Sequence, residues 1–224
     1  HGRIPDEVFT QTYEPPSTDG SGKNRQNLRT ARKMLEEAGW KVVDNALTHT
    51  ASGEVMNIEF LMRSPAFERI VGPLQKSLER LGIESNIRMV DGSQYQNRLQ
   101  EYDFDVTVVS LGQSQSPGNE QRIYWGSDAA DTPGTRNYSG IKDPVVDELI
   151  ESLIAAPSRQ SLVDHTRALD RVLLWGHYVI PNWHIRSHRV VYWNKFGKPD
   201  PPPKYVGRGS LHLDWWYDAE RAKA

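Results

Sequence analysis

Between residues 56 and 111 the apolar side chains switch repeatedly between two periods, and that alternation constrains the fold more than any other feature of the chain. Met56, Ile58, Phe60 and Met62 recur at every second residue, the spacing of a strand with one buried face. Phe67, Ile70, Val71, Leu74, Leu78 and Leu81 then follow helical spacing as far as Gly82. Pro73 lies inside that stripe, where a ring without an N–H kinks a helix or delays its start. Ile83, Ile87 and Met89 return to strand spacing, and Ser93 with Gln96 has the separation of a capping box opening a short helix through Tyr95 and Leu99. Phe104 to Leu111 is almost continuously apolar, as expected of a strand buried on both faces. Crossovers of this kind are right-handed and generate a parallel sheet, so all three strands end on one edge. Open α/β sheets bind ligands at that edge.

The flanks extend this pattern. Leu28, Ala31, Leu35 and Ala38 predict a helix closed by Gly39, followed by a polar, turn-prone stretch from Asp44 to Gly53. Asp143 and Pro144 supply an N-cap and a favoured first helical residue, and Val146, Leu149, Ile150, Leu153 and Ile154 line one face of the helix that follows. Another helix is expected from about Ser158, holding Leu162, Leu169, Val172 and Leu173. Tyr178 to Trp183 and Val190 to Trp193 read as extended, and the closing residues carry Pro201-Pro202-Pro203 and Trp215-Trp216 without periodicity. The expected organisation is an irregular lead-in over 1–24, an α/β ligand-binding lobe over 25–184, and a C-terminal segment over 185–224 that packs on something else. The start at His1 reads as a processed chain or a fragment.

Composition removes several function classes. The 27 Lys and Arg against 29 Asp and Glu leave a charge of -2, so no basic field exists to hold nucleic acid. No apolar run approaches the roughly 20 residues of a membrane-spanning helix, and the N-terminus carries no signal-peptide pattern. Cysteine chemistry is excluded because the chain has 0 Cys. His177, His184 and His188 fall close together, but Pro181 and Val190-Val191 argue for extended chain, where that spacing does not converge imidazoles on a metal. The nucleophile elbow, the zinc-protease helix, the phosphate loop and the dinucleotide fingerprint are all missing, and Asp103 with Asp105 flanks a strand start, where carboxylates are ordinarily solvated. No cofactor and no enzymatic activity are expected; a peptide- or glycan-acting hydrolase and the sensor module of a regulator are the rival readings.

The candidate binding residues sit at the three strand exits. Arg63 and Ser64 follow the first strand, where a guanidinium can grip a carboxylate or phosphate through two hydrogen bonds; its bland alternative is a surface ion pair with Glu68. Ser93 follows the second strand. The third exit reads Gln113, Ser114, Gln115, Ser116, Pro117, Gly118, Asn119, Glu120, rich in amide and hydroxyl groups that both donate and accept. Trp125, Tyr138 and Trp183 are candidate apolar walls, although such residues more often belong to the core.

A resemblance accompanies these residues. Ala31-Arg32-Lys33-Met34-Leu35-Glu36-Glu37-Ala38-Gly39-Trp40, Leu78 to Ile83, Tyr95 to Leu99, Asp103-Phe104-Asp105, and Asn137-Tyr138-Ser139-Gly140 before Asp143-Pro144-Val145-Val146-Asp147 resemble the family 5 extracellular solute-binding proteins of ABC importers. The stretch from Asn137 to Asp147 is the most specific part. Ser114 to Glu120, Ala168 to Trp175 and Tyr192 to Gly197 are similar to the branch that takes up oligopeptides and microcin C-type peptide-nucleotides. The resemblance implies the C-terminal lobe of a two-lobed periplasmic-binding-protein type II fold, with an extracytoplasmic setting. The implied partners are a peptide or peptide-like ligand, a membrane permease and the N-terminal lobe of the same protein. Arg63 matches an Arg that holds the ligand carboxylate in dipeptide-binding relatives. Gln113 stands where those relatives place an Asp for the ligand's ammonium. An amide has no full charge to offer a buried ammonium, which points to longer, modified or differently oriented ligands.

Overall fold

A computed structural model describes residues 4–114, 116–184, 189–201 and 213–223. The chain divides into two units, His1–Tyr178 and Val179–Ala224.

In the first unit, α1 (Glu7–Thr10) lies within the segment expected to be irregular. Its Val8 is buried among Ile150, Leu153 and Leu169, and the Arg171 guanidinium donates to the carbonyls of Val8 and Gln11. That anchoring was invisible in a short Pro- and Gly-rich stretch with one exposed and one buried apolar residue. The predicted helix α2 (Arg25–Glu37) forms, and Gly39 follows it at φ +89, a conformation that favours glycine.

The stretch from Asp44 to Gly53 was expected as a turn; it holds the turn and the second strand of a β-hairpin. Strands β1 (Trp40–Val43) and β2 (Ala46–His49) pair antiparallel around Asp44 and Asn45, both with positive φ, the geometry of a tight two-residue hairpin turn. The hairpin is held by Leu47, which is buried with Leu81 and Ile83 against Leu28, Leu35 and Trp40. Four-residue strands with a single buried side chain carry too little alternation to be read from sequence.

The central sheet has the order β4-β3-β5, with β3 (Asn57–Met62) parallel to both β4 (Glu84–Met89) and β5 (Val106–Thr107). The two predicted crossover helices are present. A 3-10 turn over Pro65–Phe67 leads into α3 (Glu68–Glu79), which retains Pro73 within it. The helix closes when the N–H of Gly82, at φ +82, donates to Glu79 and that of Ile83 reaches back to Leu78. Helix α4 (Gly92–Gln100) starts differently from the expectation: Asp91 is the N-cap, its Oδ1 accepting from the N–H groups of Ser93 and Gln94. Aspartate two positions beyond the end of a strand outcompetes the Ser93/Gln96 box because a carboxylate is the stronger acceptor.

β5 corrects the second expectation. Instead of a strand through Leu111 buried on both faces, only Val106 and Thr107 pair, and Val106 to Val109 are only half-buried. Among the described residues β5 pairs on one side alone, against β3. An unbroken apolar run cannot by itself distinguish an edge strand from a central one.

Four helices complete the unit: α5 (Glu120–Trp125), α6 (Ser127–Ala130), α7 (Pro144–Ile154) and α8 (Arg159–Trp175). Asp143 caps α7 as predicted, and α8 starts where a helix was expected, with Ser158 as its N-cap. Val146, Ile150 and Leu153 of α7 and Leu169 and Val172 of α8 bury against Tyr124, Trp125 and Ile141.

Among its described residues the second unit has little regular structure. Neither Tyr178 to Trp183 nor Val190 to Trp193 forms a strand, and β6 (Phe196–Gly197) pairs antiparallel with β7 (Trp216–Tyr217). Tyr192 and Trp215 stack edge to face with centroids 4.6 Å apart. Val191, Trp193, Trp216 and Tyr217 are all exposed.

Candidate functional site

Parallel pairing carries the ends of β3, β4 and β5 to one edge, and the chain chemistry there differs from strand to strand. β3 delivers Arg63, whose exposed guanidinium lies over the Tyr95 ring at 5.6 Å from its centroid. Tyr95 is fixed from below: its hydroxyl meets Thr107 Oγ1 at 2.9 Å and the Val108 carbonyl at 3.2 Å. Thr107 in turn donates to the Leu61 carbonyl. One side chain on α4 therefore links the first and third strands to the cation at the first exit; the sequence placed Tyr95 on a short helix, but neither it nor Thr107 was a candidate site residue. A Tyr placed on the inner face of a helix that opens at a strand exit was the available signal.

Ser64 accepts from the N–H of Ala66 and so starts the 3-10 turn. Ser93 is exposed at the beginning of α4, with its N–H given to Asp91. Arg98, on the opposite end of α4, bridges Glu59 at 2.7 Å and Asp103 at 2.8 Å. Those hydrogen bonds raise its pKa and tie α4 to the sheet away from the exits.

The third exit is organised by a residue the sequence did not reveal. Gln121 is 3% exposed and uses both ends of its amide: Oε1 accepts from the Trp125 indole at 3.1 Å, and Nε2 donates to Gln113 Oε1 at 2.7 Å and Glu120 Oε1 at 3.1 Å. The Gly118 N–H also donates to Glu120 Oε1. Burial raises the Glu120 carboxyl, but hydrogen bonds from its own backbone, from Gly118 and from Gln121 together outweigh it and hold the group below its ordinary value. Ser114 accepts from the Ser116 N–H, Ser116 Oγ lies 3.5 Å from Arg159, and Asn119 accepts from Arg122 at 2.7 Å. Arg122 also forks onto Glu151 at 2.6 and 2.5 Å, fastening the loop to α7. Gln115 lies outside the described residues.

The three aromatic walls fare differently. Trp125 is interior, packed with Tyr124, Val146 and Ile150, and its indole serves Gln121. Its place on the inward face of α5, between the loop and α7, decides this. Tyr138 is half-buried against Leu61, Tyr95 and Phe104, and that burial raises its hydroxyl pKa. Trp183 belongs to the second unit and is exposed.

The stretch from Asn137 to Asp147 acts within the fold. Asn137, 1% exposed, donates to the carbonyls of Gly126 and Ile141 and accepts from the Ile141 N–H, each at 2.9 Å. Asp147 accepts from the N–H and hydroxyl of Ser127 at 2.8 and 2.6 Å. Together they lock the connection between α6 and α7.

Among the described residues no group of three or more His, Asp or Glu is placed to hold a metal, and no helix is long and apolar enough to cross a membrane. His188, one of the three clustered histidines, lies outside the described residues.

Comparison with known proteins fits this geometry. The chain is 43% identical over 214 residues to the "Probable peptide-binding protein YejA" of Agrobacterium fabrum, covering 96% of this chain and 34% of that protein. It is 37% identical over 213 residues to the "Peptidoglycan-binding protein YepA" of the same bacterium, covering 95% and 34%. The chain thus spans about a third of the length of these relatives. Among solved structures it resembles the oligopeptide-binding protein AppA of Bacillus subtilis in complex with a nonapeptide, with a TM-score of 0.61 and 20% identity over 77% of this chain and 38% of that one. The fold is that of the type II periplasmic binding proteins, an α/β architecture with a parallel sheet flanked by helices. The family model for bacterial extracellular solute-binding proteins, family 5, matches residues 2–133, and the chain accordingly belongs to that family.

Proposed function

We propose that this chain is the C-terminal lobe of a substrate-binding protein that captures oligopeptides or peptide-like solutes for an ABC importer. In this reading residues 25–184 form the ligand-binding lobe and 185–224 return toward an N-terminal lobe of the same protein. The observation that carries it is the convergence of three parallel strand exits, one bearing Arg63 on its Tyr95 platform and another a loop of amides and hydroxyls. Arg63 takes a ligand carboxylate; Ser64, Ser93, Gln113, Ser114, Gln115, Ser116, Asn119 and Glu120 replace the ligand's hydration with hydrogen bonds. Tyr138 supplies apolar wall. The work is non-covalent capture by closure of two lobes, with a permease as partner, in an extracytoplasmic setting and without chemistry on the ligand.

The name of the YejA relative and the peptide held by AppA support the ligand class. A neutral Gln113, with no full charge for a buried ammonium, supports longer, modified or differently oriented ligands, as the oligopeptide and microcin C-type branch would take. The YepA relative's name adds peptidoglycan fragments to the solutes worth testing. The decisive measurement is mass spectrometry of ligand released from purified full-length protein, with calorimetry across a library of short peptides and peptidoglycan fragments. Recovery of peptide-bearing masses is the expected result. Absence of peptide from the released material, with no heat across the library, overturns the reading. Cleavage products after incubation with peptides would favour a hydrolase instead.

A further inference from the structure

The amide chain at the third exit has a direction. An indole N–H only donates, so the Gln121 oxygen must face Trp125, at 3.1 Å. A carboxylate only accepts, so the Gln121 nitrogen must face Glu120, at 3.1 Å. Turning the amide over would set NH2 against N–H and carbonyl against carboxylate in a site where Gln121 is 3% exposed. Its polarity is therefore locked from both ends. Gln113 meets the nitrogen of this locked amide at 2.7 Å and can do so only with its oxygen. The exposed Gln113 is left with its NH2 group directed away from Gln121.

We infer that Gln113 offers ligands a pair of N–H donors whose polarity is set by Gln121 and Trp125, and that it takes an oxygen acceptor of a peptide-like ligand rather than an α-ammonium group. The inference rests on the reading of the strand exits as a ligand surface. Its ligand class is a peptide whose amino end is blocked or carried elsewhere, with a carbonyl oxygen at Gln113. Gln121 and Trp125, both interior, are the positioning residues that determine this specificity.

The test uses full-length protein and a mixture of tri- to pentapeptides, each present in free and N-acetylated form, with the retained peptides counted by mass spectrometry. Wild-type protein is expected to retain free forms no more than about threefold over acetylated forms. Gln113→Glu is the matched variant: one carboxylate oxygen still accepts from Gln121 while the other replaces the outward NH2. It is expected to move the ratio toward free amines by about fivefold or more, roughly 1 kcal/mol. Trp125→Phe removes one of the two partners that lock Gln121, leaving Glu120, and is expected to move the ratio the same way by a smaller factor. A wild-type ratio above threefold, or a ratio that Gln113→Glu leaves unchanged, overturns the inference while peptide binding stands. An unmoved ratio in Trp125→Phe overturns the part assigned to Gln121 and Trp125. Retention of neither form removes the peptide reading and the inference with it.

Discussion

Asn137→Ala separates what the most family-specific stretch does for folding from what it does for binding. The side chain is 1% exposed and makes three hydrogen bonds of 2.9 Å, to the Gly126 carbonyl and to both backbone groups of Ile141, which is itself 1% exposed. Alanine removes all three and leaves their backbone partners without the amide. Each buried polar group so orphaned costs about 1–3 kcal/mol, and water entering the vacated space recovers part of it, so a net loss of about 3–4 kcal/mol is expected. With a urea slope of about 2 kcal/mol/M, the midpoint falls by roughly 1.5–2 M. Trp125 lies in the cluster that contains Ile141, so tryptophan fluorescence during urea titration reports the transition. Asn137→Asp keeps only the bond accepted from Ile141 and sets a carboxylate against two carbonyls; it is expected to be at least as damaging. Peptide affinity measured well below the unfolding midpoint stays within about twofold of wild type, since the residue meets no strand exit. A stability loss below about 1 kcal/mol would refute the account of Asn137 as the lock between α6 and α7.

Arg63→Ala is expected to weaken binding of peptides with a free carboxyl end by about 10–100-fold, the range for a lost charge-assisted hydrogen bond, and to leave C-amidated peptides nearly unaffected in the same calorimetry. Tyr95→Phe keeps the ring beneath Arg63 and loses only the hydroxyl bonds to Thr107 and Val108, so stability falls by about 1 kcal/mol while affinity changes little; Tyr95→Leu weakens both. Glu120 has a folded pKa below its ordinary 4.5, so its contribution is present above that value and is lost as the pH falls through the folded pKa. Urea midpoints measured between neutral pH and below pH 4.5 should therefore fall less steeply in Glu120→Gln than in wild type.

Much of the frame was legible because it depends on neighbours in sequence. The apolar spacings of β3, α3, β4, α7 and α8, the Gly39 and Gly82 stops, the Asp143 cap and the helix start near Ser158 are local interactions written over a few residues. The hairpin at Asp44-Asn45 was missed because its strands are short, and α1 because only Val8 marks it as interior. The site residues were proposed from position on the sheet edge, and that position followed from parallel connectivity. Their orientation did not.

By itself the sequence determined the alternation of strands and helices, hence a parallel sheet with its exits on one edge, and the presence of Arg63 and a loop rich in amides and hydroxyls there. Only the tertiary structure decided that β3 is central, that β5 pairs over just two residues, that Trp125 is interior, and that Gln121 dictates which face Gln113 shows. Periodicity is a property of neighbours along the chain. The choice of hydrogen-bond partner for a buried amide is made by whatever the folded backbone brings within 3 Å, and no spacing in the sequence encodes that.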